Sequence, residues 1–380
     1  MNRVLSILLK VFIALVKTVL VALCLSVTVA VLGFFVMESG GSQKSTQAGS
    51  TSHAISERYN MFITNTLSEA LDGVLSIRKV YWLNDDDLVA PEPNQDCFGT
   101  ATDPADVLWL LDEAKELLDG QDTLFTADTQ IWEGSTIHYY LDDTILVIGW
   151  KEVRDDAVYN ICEVKIADPS QFRRFLADGE YASGSKYIPT EMAASVNAVL
   201  ASNGDFYTFR SGGIIVYDSQ LMRPEGKRLD SCLIAGNGDL LMFHKKELTE
   251  QADMEAIIKE HGVRFSVAFG PILIENGEKA EIDFPYSVGE GNIRYNRAAL
   301  CQRDTLHYYL VTACDEDPYE SGHTLEQFQN VLATLDCKSA YNLDGGQSAT
   351  LVMNDKTINH VWQRQVSDII YFATAIPDGE

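Results

Sequence analysis

Histidine is scarce, with seven in 380 residues, and no two cysteines form a C-x-x-C pair. The chain therefore lacks the closely spaced His-rich ligand sets of two-metal phosphoesterases and the thiolate pairs of a structural zinc site. Basic charge is also short: 29 Lys and Arg stand against 55 Asp and Glu, a formal net charge of −26. Nucleic-acid binding needs a basic face, so this balance argues against it. Ten prolines and 46% hydrophobic residues exclude a disordered chain. No short-period repeat is present.

A long apolar run occurs at the N-terminus. Residues 18–37 hold no charged side chain and are enough to cross a hydrocarbon core about 30 Å thick. Arg3, Lys10 and Lys17 precede the run and Glu38 follows it, which places residues 1–17 in the cytoplasm and the C-terminal domain outside the cell membrane. A cleaved signal peptide has a shorter apolar region, about 7–15 residues, ending in a small-x-small site. No clean site follows Phe34-Phe35-Val36, so a single-pass signal anchor is expected, with a flexible Ser/Gly-rich tether over residues 38–52. The first 50 residues carry +3 and the remainder −29. An anionic substrate stays compatible with that surface, because salt screens distant charge beyond about 10 Å and a few arginines can dominate a cleft. Cys24 lies in the apolar run. The other six cysteines allow up to three disulfides or buried free thiols.

The periodicity predicts an α+β fold: a mixed or antiparallel sheet with covering helices, after one transmembrane helix and a partly helical accessory region. Residues 53–180 form that accessory region and 181–380 the catalytic domain. Ala54 to Ser76 reads as an amphipathic helix, and Asp103-Pro104 opens a second that stops near Asp119-Gly120. Phe172 to Leu176 and Glu191 to Leu200 read as helical, as does Leu325 to Leu335. Strands are expected at 137–140, 144–152, 157–167, 213–217, 231–235, 240–243, 266–269, 272–274, 348–353 and 368–373. A hairpin joins 297–301 to 306–313.

Chemistry concentrates in a few segments. Asn342-Leu343-Asp344-Gly345-Gly346-Gln347-Ser348-Ala349-Thr350 sets one carboxylate beside two glycines and two hydroxyls. Glycines allow positive φ and a close approach of ligand to backbone N–H groups. An ordinary tight turn would use the same residues. Asn203-Gly204-Asp205-Phe206-Tyr207 is a polar turn with one carboxylate. Phe269-Gly270-Pro271 precedes a short strand and an Asn276-Gly277 hairpin turn. Arg297 opens a buried-looking strand, where a guanidinium needs a carboxylate or a bound phosphate. Thr324 with Gln327 makes a capping box, which accounts for Thr324 without function; His323 beside it is a lone histidine at a helix start.

Taken together, these segments resemble the phosphodiester glycosidase family. The family pattern joins Asn-Gly-x-Phe/Tyr, a hairpin-opening Arg, a Gly-x-Thr helix start and Asn-Leu-Asp-Gly-Gly-x-Ser. Here the pieces fall at Asn203 to Tyr207, Arg297, Gly322 to Thr324 and Asn342 to Ser348, in matching order over roughly residues 185–376. Gln347 stands where the family commonly has a third glycine, and Cys301 where a glycine is usual. Residues 53–180 resemble the accessory portion of membrane-anchored Gram-positive members. The resemblance implies extracytoplasmic hydrolysis of a sugar-1-phosphodiester, on cell-envelope or exopolysaccharide glycans, to a sugar and a phosphomonoester. It implies Asp344, Arg297 and Asp205 as catalytic residues, with Asp344 at the anomeric carbon and Arg297 on the phosphate. Asn203, Gly204, Thr324, Gly345, Gly346 and Ser348 would bind substrate, and Asn203 and Asp205 would touch sugar hydroxyls or position Asp344. No cofactor is required; a single Ca²⁺ or Mg²⁺ on the oxygens of Asp205 and Asp344 is the metal-assisted alternative. A catalytically inert glycan-binding or envelope-assembly protein on the same scaffold is the non-enzymatic alternative.

Overall fold

The computed structural model describes residues 89–282, 291–316 and 322–375, all within one compact unit, residues 80–380. The expected signal anchor, the tether and the helix at 54–76 lie outside the described residues. Among the described residues no helix is long and apolar enough to cross a membrane.

Nineteen strands are described. β1 (Phe98–Ala101), β2 (Ile137–Leu141), β3 (Ile145–Arg154) and β4 (Ala157–Ile166) come first, followed by β5 (Phe172–Leu176) and β6 (Leu200–Asn203). β7 (Gly213–Tyr217) and β8 (Gln220–Glu225) form a hairpin; β9 (Ser231–Ile234), β10 (Leu240–Phe243) and β11 (Phe265–Val267) form a small sheet. Next come β12 (Ile272–Glu275), β13 (Glu278–Lys279), β14 (Arg297–Asp304) and β15 (His307–Cys314). The last are β16 (Ser339–Leu343), β17 (Leu351–Met353), β18 (Lys356–Thr357) and β19 (Asp368–Phe372). The helices are α1 (Trp109–Glu113), α2 (Lys115–Leu118), α3 (Pro189–Ser195), α4 (Gln251–His261) and α5 (Leu325–Leu332).

A nine-stranded sheet in the order β1-β2-β3-β4-β15-β14-β16-β12-β13 forms the centre. A second sheet, β18-β17-β6-β19-β5, carries five strands, and the strand pairings of both sheets are antiparallel. The fold is thus α+β and dominated by antiparallel sheet. β4 is buried along its whole length because both faces are covered. Tyr159 and Ile161 face a core shared with Leu110, Phe125, Phe328 and Leu332. Cys162, Val164 and Ile166 face a second core with Phe172, Leu200, Phe265 and Phe372. Successive strand residues point to opposite faces, so a doubly covered strand reads as one apolar run.

Several local expectations change. Phe172–Leu176 is a strand, not a helix, pairing with β19 from Phe172↔Phe372 to Leu176↔Asp368. Five residues are too few to separate a period of 2 from 3.6, and a sheet edge decided between them. The helix after Asp103 is broken. Asp103 does cap Ala105 N–H, but a 3₁₀ turn (Pro104–Asp106), α1 and α2 replace one continuous helix. Packing explains this: Val107, Leu110, Ala114, Leu117 and Leu118 all reach the same core. The helix expected at 191–200 is shorter, Pro189–Ser195, because Leu200 already belongs to β6. α4 and β8 had no counterpart in the sequence reading. The central sheet also runs through the expected boundary at 180/181: β4 pairs with β15 from Val158↔Cys314 to Lys165↔His307. β1, β2, β3 and β4 therefore lie in one sheet with β14, β15 and β16.

Candidate active site

The site forms where the two sheets meet at strand ends. β16, in the central sheet, delivers Asp344; β6, in the second sheet, delivers Asn203 and Gly204. The Asn203 amide stitches the two ends together. Its Nδ2 donates to the Asp344 carbonyl at 2.7 Å, and its Oδ1 accepts from Thr350 N–H at 3.2 Å. The Asp344 N–H in turn donates to the Gly204 carbonyl at 3.2 Å.

The glycines have specific steric reasons. A Cβ on Gly345 would stand 2.6 Å from the Asn296 carbonyl oxygen and 3.9 Å from the Cα of Arg297. The start of β14 therefore lies directly against the Asp344 loop. Gly346 sits at φ +61° with its N–H donating to the same Asn296 oxygen at 2.7 Å. A Cβ on Gly204 would lie 1.7 Å from Asp368 Oδ2.

Asp344 is 7% exposed. Its Oδ2 pairs with Arg364 Nη2 at 2.5 Å, and Arg364 Nε donates to Ser348 Oγ at 2.5 Å. Burial raises the Asp344 pKa above its ordinary value, opposed by Arg364, by a hydrogen bond from Ser348 and by the charge of Arg210. Asp344 is thus a largely buried carboxyl with the Arg364 guanidinium on one oxygen.

Asp205 does not join this group. It is fully buried: Oδ1 accepts from Arg174 Nη2 at 2.6 Å and from Tyr207 N–H at 3.0 Å, and Oδ2 accepts from Ala268 N–H at 2.7 Å. Arg174 Nη2 also bonds Asp368 Oδ2 at 2.8 Å. Asp368 holds the loop from below, accepting Asp205 N–H at 3.1 Å and Phe206 N–H at 3.0 Å. Burial, then the neighbouring Asp205 charge, raises the Asp368 pKa to about 7 against the pull of Arg174. Asp205 thus lies in a buried cluster with Arg174 and Asp368, apart from the Asp344–Arg364 pair.

Arg297 and Thr324 sit on adjoining segments. Arg297 Nε donates to the His323 carbonyl at 3.0 Å and Nη2 to the Ile293 carbonyl at 2.8 Å. Its Nη1 bonds no described residue. Burial lowers its pKa to about 10, opposed by Tyr295, whose ring centroid lies 5.5 Å from the guanidinium carbon. No described carboxylate pairs with Arg297. Thr324 caps α5 in a complete capping box with Gln327, as its spacing implied. His323 is structural: its ring meets the Tyr159 hydroxyl and, at 2.8 Å, the Asp155 carbonyl.

Sequence reasoning missed Arg364, Asp368 and Arg174. Arg364 lies in an irregular segment with no motif around it, whereas Asp368, a carboxylate opening the apolar strand Ile369-Ile370-Tyr371-Phe372, carried a readable signal. A metal is poorly served. Both oxygens of Asp205 bond Arg174 or backbone N–H groups and Asp344 Oδ2 bonds Arg364, and among the described residues no three His, Cys, Asp or Glu side chains are placed to hold an ion. The six cysteines outside the apolar run are free thiols here.

No curated protein matches the sequence. Among solved structures, a hypothetical protein from Synechocystis aligns at 13% identity and TM-score 0.47, covering 64% of each chain. This chain thus spans just under two thirds of that protein's length. The catalytic domain of zebrafish N-acetylglucosamine-1-phosphodiester alpha-N-acetylglucosaminidase, auto-inhibited by its pro-peptide, aligns at 19% identity and TM-score 0.48, covering 60% of this chain and 83% of that one. A putative exported protein from Burkholderia pseudomallei aligns at 15% identity and TM-score 0.39, covering 57% and 74%. Residues 196–373, which hold Asn203, Arg297, Thr324 and Asp344, match the family model for phosphodiester glycosidase.

Proposed function

We propose that the protein hydrolyses a sugar-1-phosphodiester, releasing the free sugar and a phosphomonoester. The observation that carries this reading is Asp344: a buried carboxylate at a junction of two sheets, beside two glycines and paired with Arg364. The anomeric C–O bond breaks, its oxygen and electron pair leave with the phosphate, and water supplies the hydroxyl to the sugar. Asp344 acts at the anomeric carbon, as base or nucleophile, where positive charge develops. A phosphate leaving group needs less protonation than a sugar alkoxide, so one carboxylate suffices on this face. Arg297 meets the departing phosphate through Nη1, and Arg364 offers a second guanidinium at Asp344. Asn203, Gly204, Asp205 and Asp368 position the loop rather than touch substrate. Gly345, Gly346 and Ser348 supply close backbone approach and a hydroxyl. Thr324 sets the adjoining helix start near Arg297.

We place the enzyme outside the cell, anchored by residues 18–37, acting on an envelope or secreted glycan; the apolar run, the preceding basic residues and the acidic remainder support this location. The test uses the full-length protein and its Asp344→Asn variant with a GlcNAc-α-1-phosphodiester, with and without EDTA. Asp344-dependent, EDTA-insensitive release of sugar is the expected result. Release abolished by EDTA would bring a cation into the mechanism. No release by a folded protein that still binds glycan would favour the inert binding protein.

A further inference from the structure

The Arg297 guanidinium is held by backbone oxygens. The His323 carbonyl accepts its Nε at 3.0 Å and the Ile293 carbonyl accepts its Nη2 at 2.8 Å. A carbonyl directs a guanidinium without neutralising it, so the charge stays available for an anion. The aim of Arg297 then depends on how firmly the His323 peptide is fixed. On one side the backbone fixes it. Tyr295 N–H donates to the His323 carbonyl at 3.2 Å, and His323 N–H donates to the Tyr295 carbonyl at 3.0 Å. Gly322, at φ +49°, lets the two segments approach, since a Cβ there would lie 2.2 Å from the Tyr295 carbonyl oxygen.

On the other side the imidazole fixes it, reaching into the β3–β4 hairpin. Nε2 bonds the carbonyl of Asp155, in the turn, at 2.8 Å, and Nδ1 bonds the hydroxyl of Tyr159, in β4. A carbonyl only accepts, so Nε2 carries the proton and Nδ1 accepts the Tyr159 O–H. Burial holds the His323 pKa below its ordinary value and raises that of Tyr159, so the ring stays neutral and the hydroxyl stays a donor at neutral pH. Both side chains are fully buried, and the Tyr159 ring stacks on Phe328 of α5, with planes 21° apart. An apolar core alone would be filled as well by Phe at 159; the buried hydroxyl and imidazole are retained as a matched pair. Asp155 and Tyr159 both precede residues 196–373, which match the family model.

We infer that Tyr159 and the Asp155 carbonyl, acting through His323, position Arg297 for the substrate phosphate. This rests on the hydrolytic reading above and adds that phosphate capture is set from the β3–β4 hairpin, outside residues 196–373. Tyr159 and His323 are positioning residues: they are buried and act through Arg297, without touching substrate. Since Arg297 would grip the phosphate before and during bond breaking alike, a misplaced guanidinium raises KM more than it lowers kcat.

The test measures kcat and KM of the full-length protein on a GlcNAc-α-1-phosphodiester. Tyr159→Phe keeps the ring and its stacking but removes the hydroxyl. KM should rise about fivefold, the scale of one hydrogen bond, with kcat within about twofold of the wild type. Tyr308→Phe is the control. Its hydroxyl is equally buried and donates to the Gly238 carbonyl at 2.7 Å, but it stands at the other end of β15 from Ala313, the partner of Arg297. KM should not move in this variant. In an Arg297→Lys background, adding Tyr159→Phe should raise KM by less than about twofold, because both changes act through one side chain. An unchanged KM in Tyr159→Phe, an equal rise in Tyr308→Phe, or the full rise in the Arg297→Lys background would overturn the positioning role while leaving the hydrolase intact. Calorimetric binding of inorganic phosphate gives a readout free of turnover. If the wild type cleaves no diester, the hydrolytic reading is removed. Phosphate binding about fivefold weaker in Tyr159→Phe would then still support the positioning of Arg297; equal binding, or none by either protein, would overturn it.

Discussion

Arg364 Nη2 lies 2.5 Å from Asp344 Oδ2, and the same guanidinium donates through Nε to Ser348. Burial alone would leave Asp344 protonated over a wider pH range; the guanidinium opposes that shift. Arg364 is itself partly exposed, so the pair sits at the edge of the site where a substrate anion can enter.

Replacing Arg364 with Gln removes the stabilising charge and lets burial raise the Asp344 pKa further. Asp344 works ionised, so the acid limb of the kcat/KM profile should move to higher pH. Activity at neutral pH should fall about tenfold or more. A profile with an unmoved acid limb would separate Arg364 from the ionisation of Asp344.

Asp368 titrates in the opposite energetic sense to a salt-bridged surface carboxylate. Its folded-state pKa is raised to about 7 by burial and Asp205, so the folded protein holds this proton more tightly than the unfolded chain. Its contribution to stability is present at acid pH and is lost as pH rises through about 7. Asp368→Asn cannot ionise and should be less stable overall, because its amide cannot accept all the N–H bonds that the carboxylate accepts. The stability gap between wild type and variant should be wider at pH 5 than at pH 8, read from melting curves at both.

Two glycines of the site should differ in kind. Gly204→Ala places a Cβ 1.7 Å from the Asp368 carboxylate, and the neighbouring framework is buried. A loss of about 3 kcal/mol is expected, with turnover lost as Asn203 and Asp344 shift. Gly346→Ala meets no atom within 4 Å but keeps φ at +61°. It should cost only about 1 kcal/mol. Chemical denaturation of both variants distinguishes a clash from backbone strain.

Arg297→Lys keeps the charge but not the fork. The Nε bond to His323 and the Nη2 bond to Ile293 cannot both survive, and a loss of about 1–2 kcal/mol is expected. KM should rise about tenfold with a smaller change in kcat if Nη1 captures the phosphate. An unchanged KM would reduce Arg297 to a brace between the two segments.

The legibility of this protein follows the range of each interaction. Asn203, Asp344, Gly345 and Gly346 could be found because steric demands near a strand end select residue types locally, and the spacing preserves them. Thr324 with Gln327 was readable for the same reason: a capping box closes within one turn. The strands at 145–154 and 157–166 were evident because doubly covered strands concentrate β-branched and aromatic side chains. Phe172–Leu176 was misread because its deciding partner, β19, lies almost two hundred residues away.

The chain by itself determined the acidic balance, the Asp-Gly-Gly loop, the hairpin-opening Arg297 and the strand-rich body that carries them. Tertiary structure decided how each candidate carboxylate is surrounded. Asp205 and Asp344 look alike in sequence, each beside glycine in a polar turn. The fold buries the first against Arg174 and sets the second against Arg364. The physical reason is that carboxylate function depends on solvation and neighbouring charge, and both are supplied here by residues from other strands and loops.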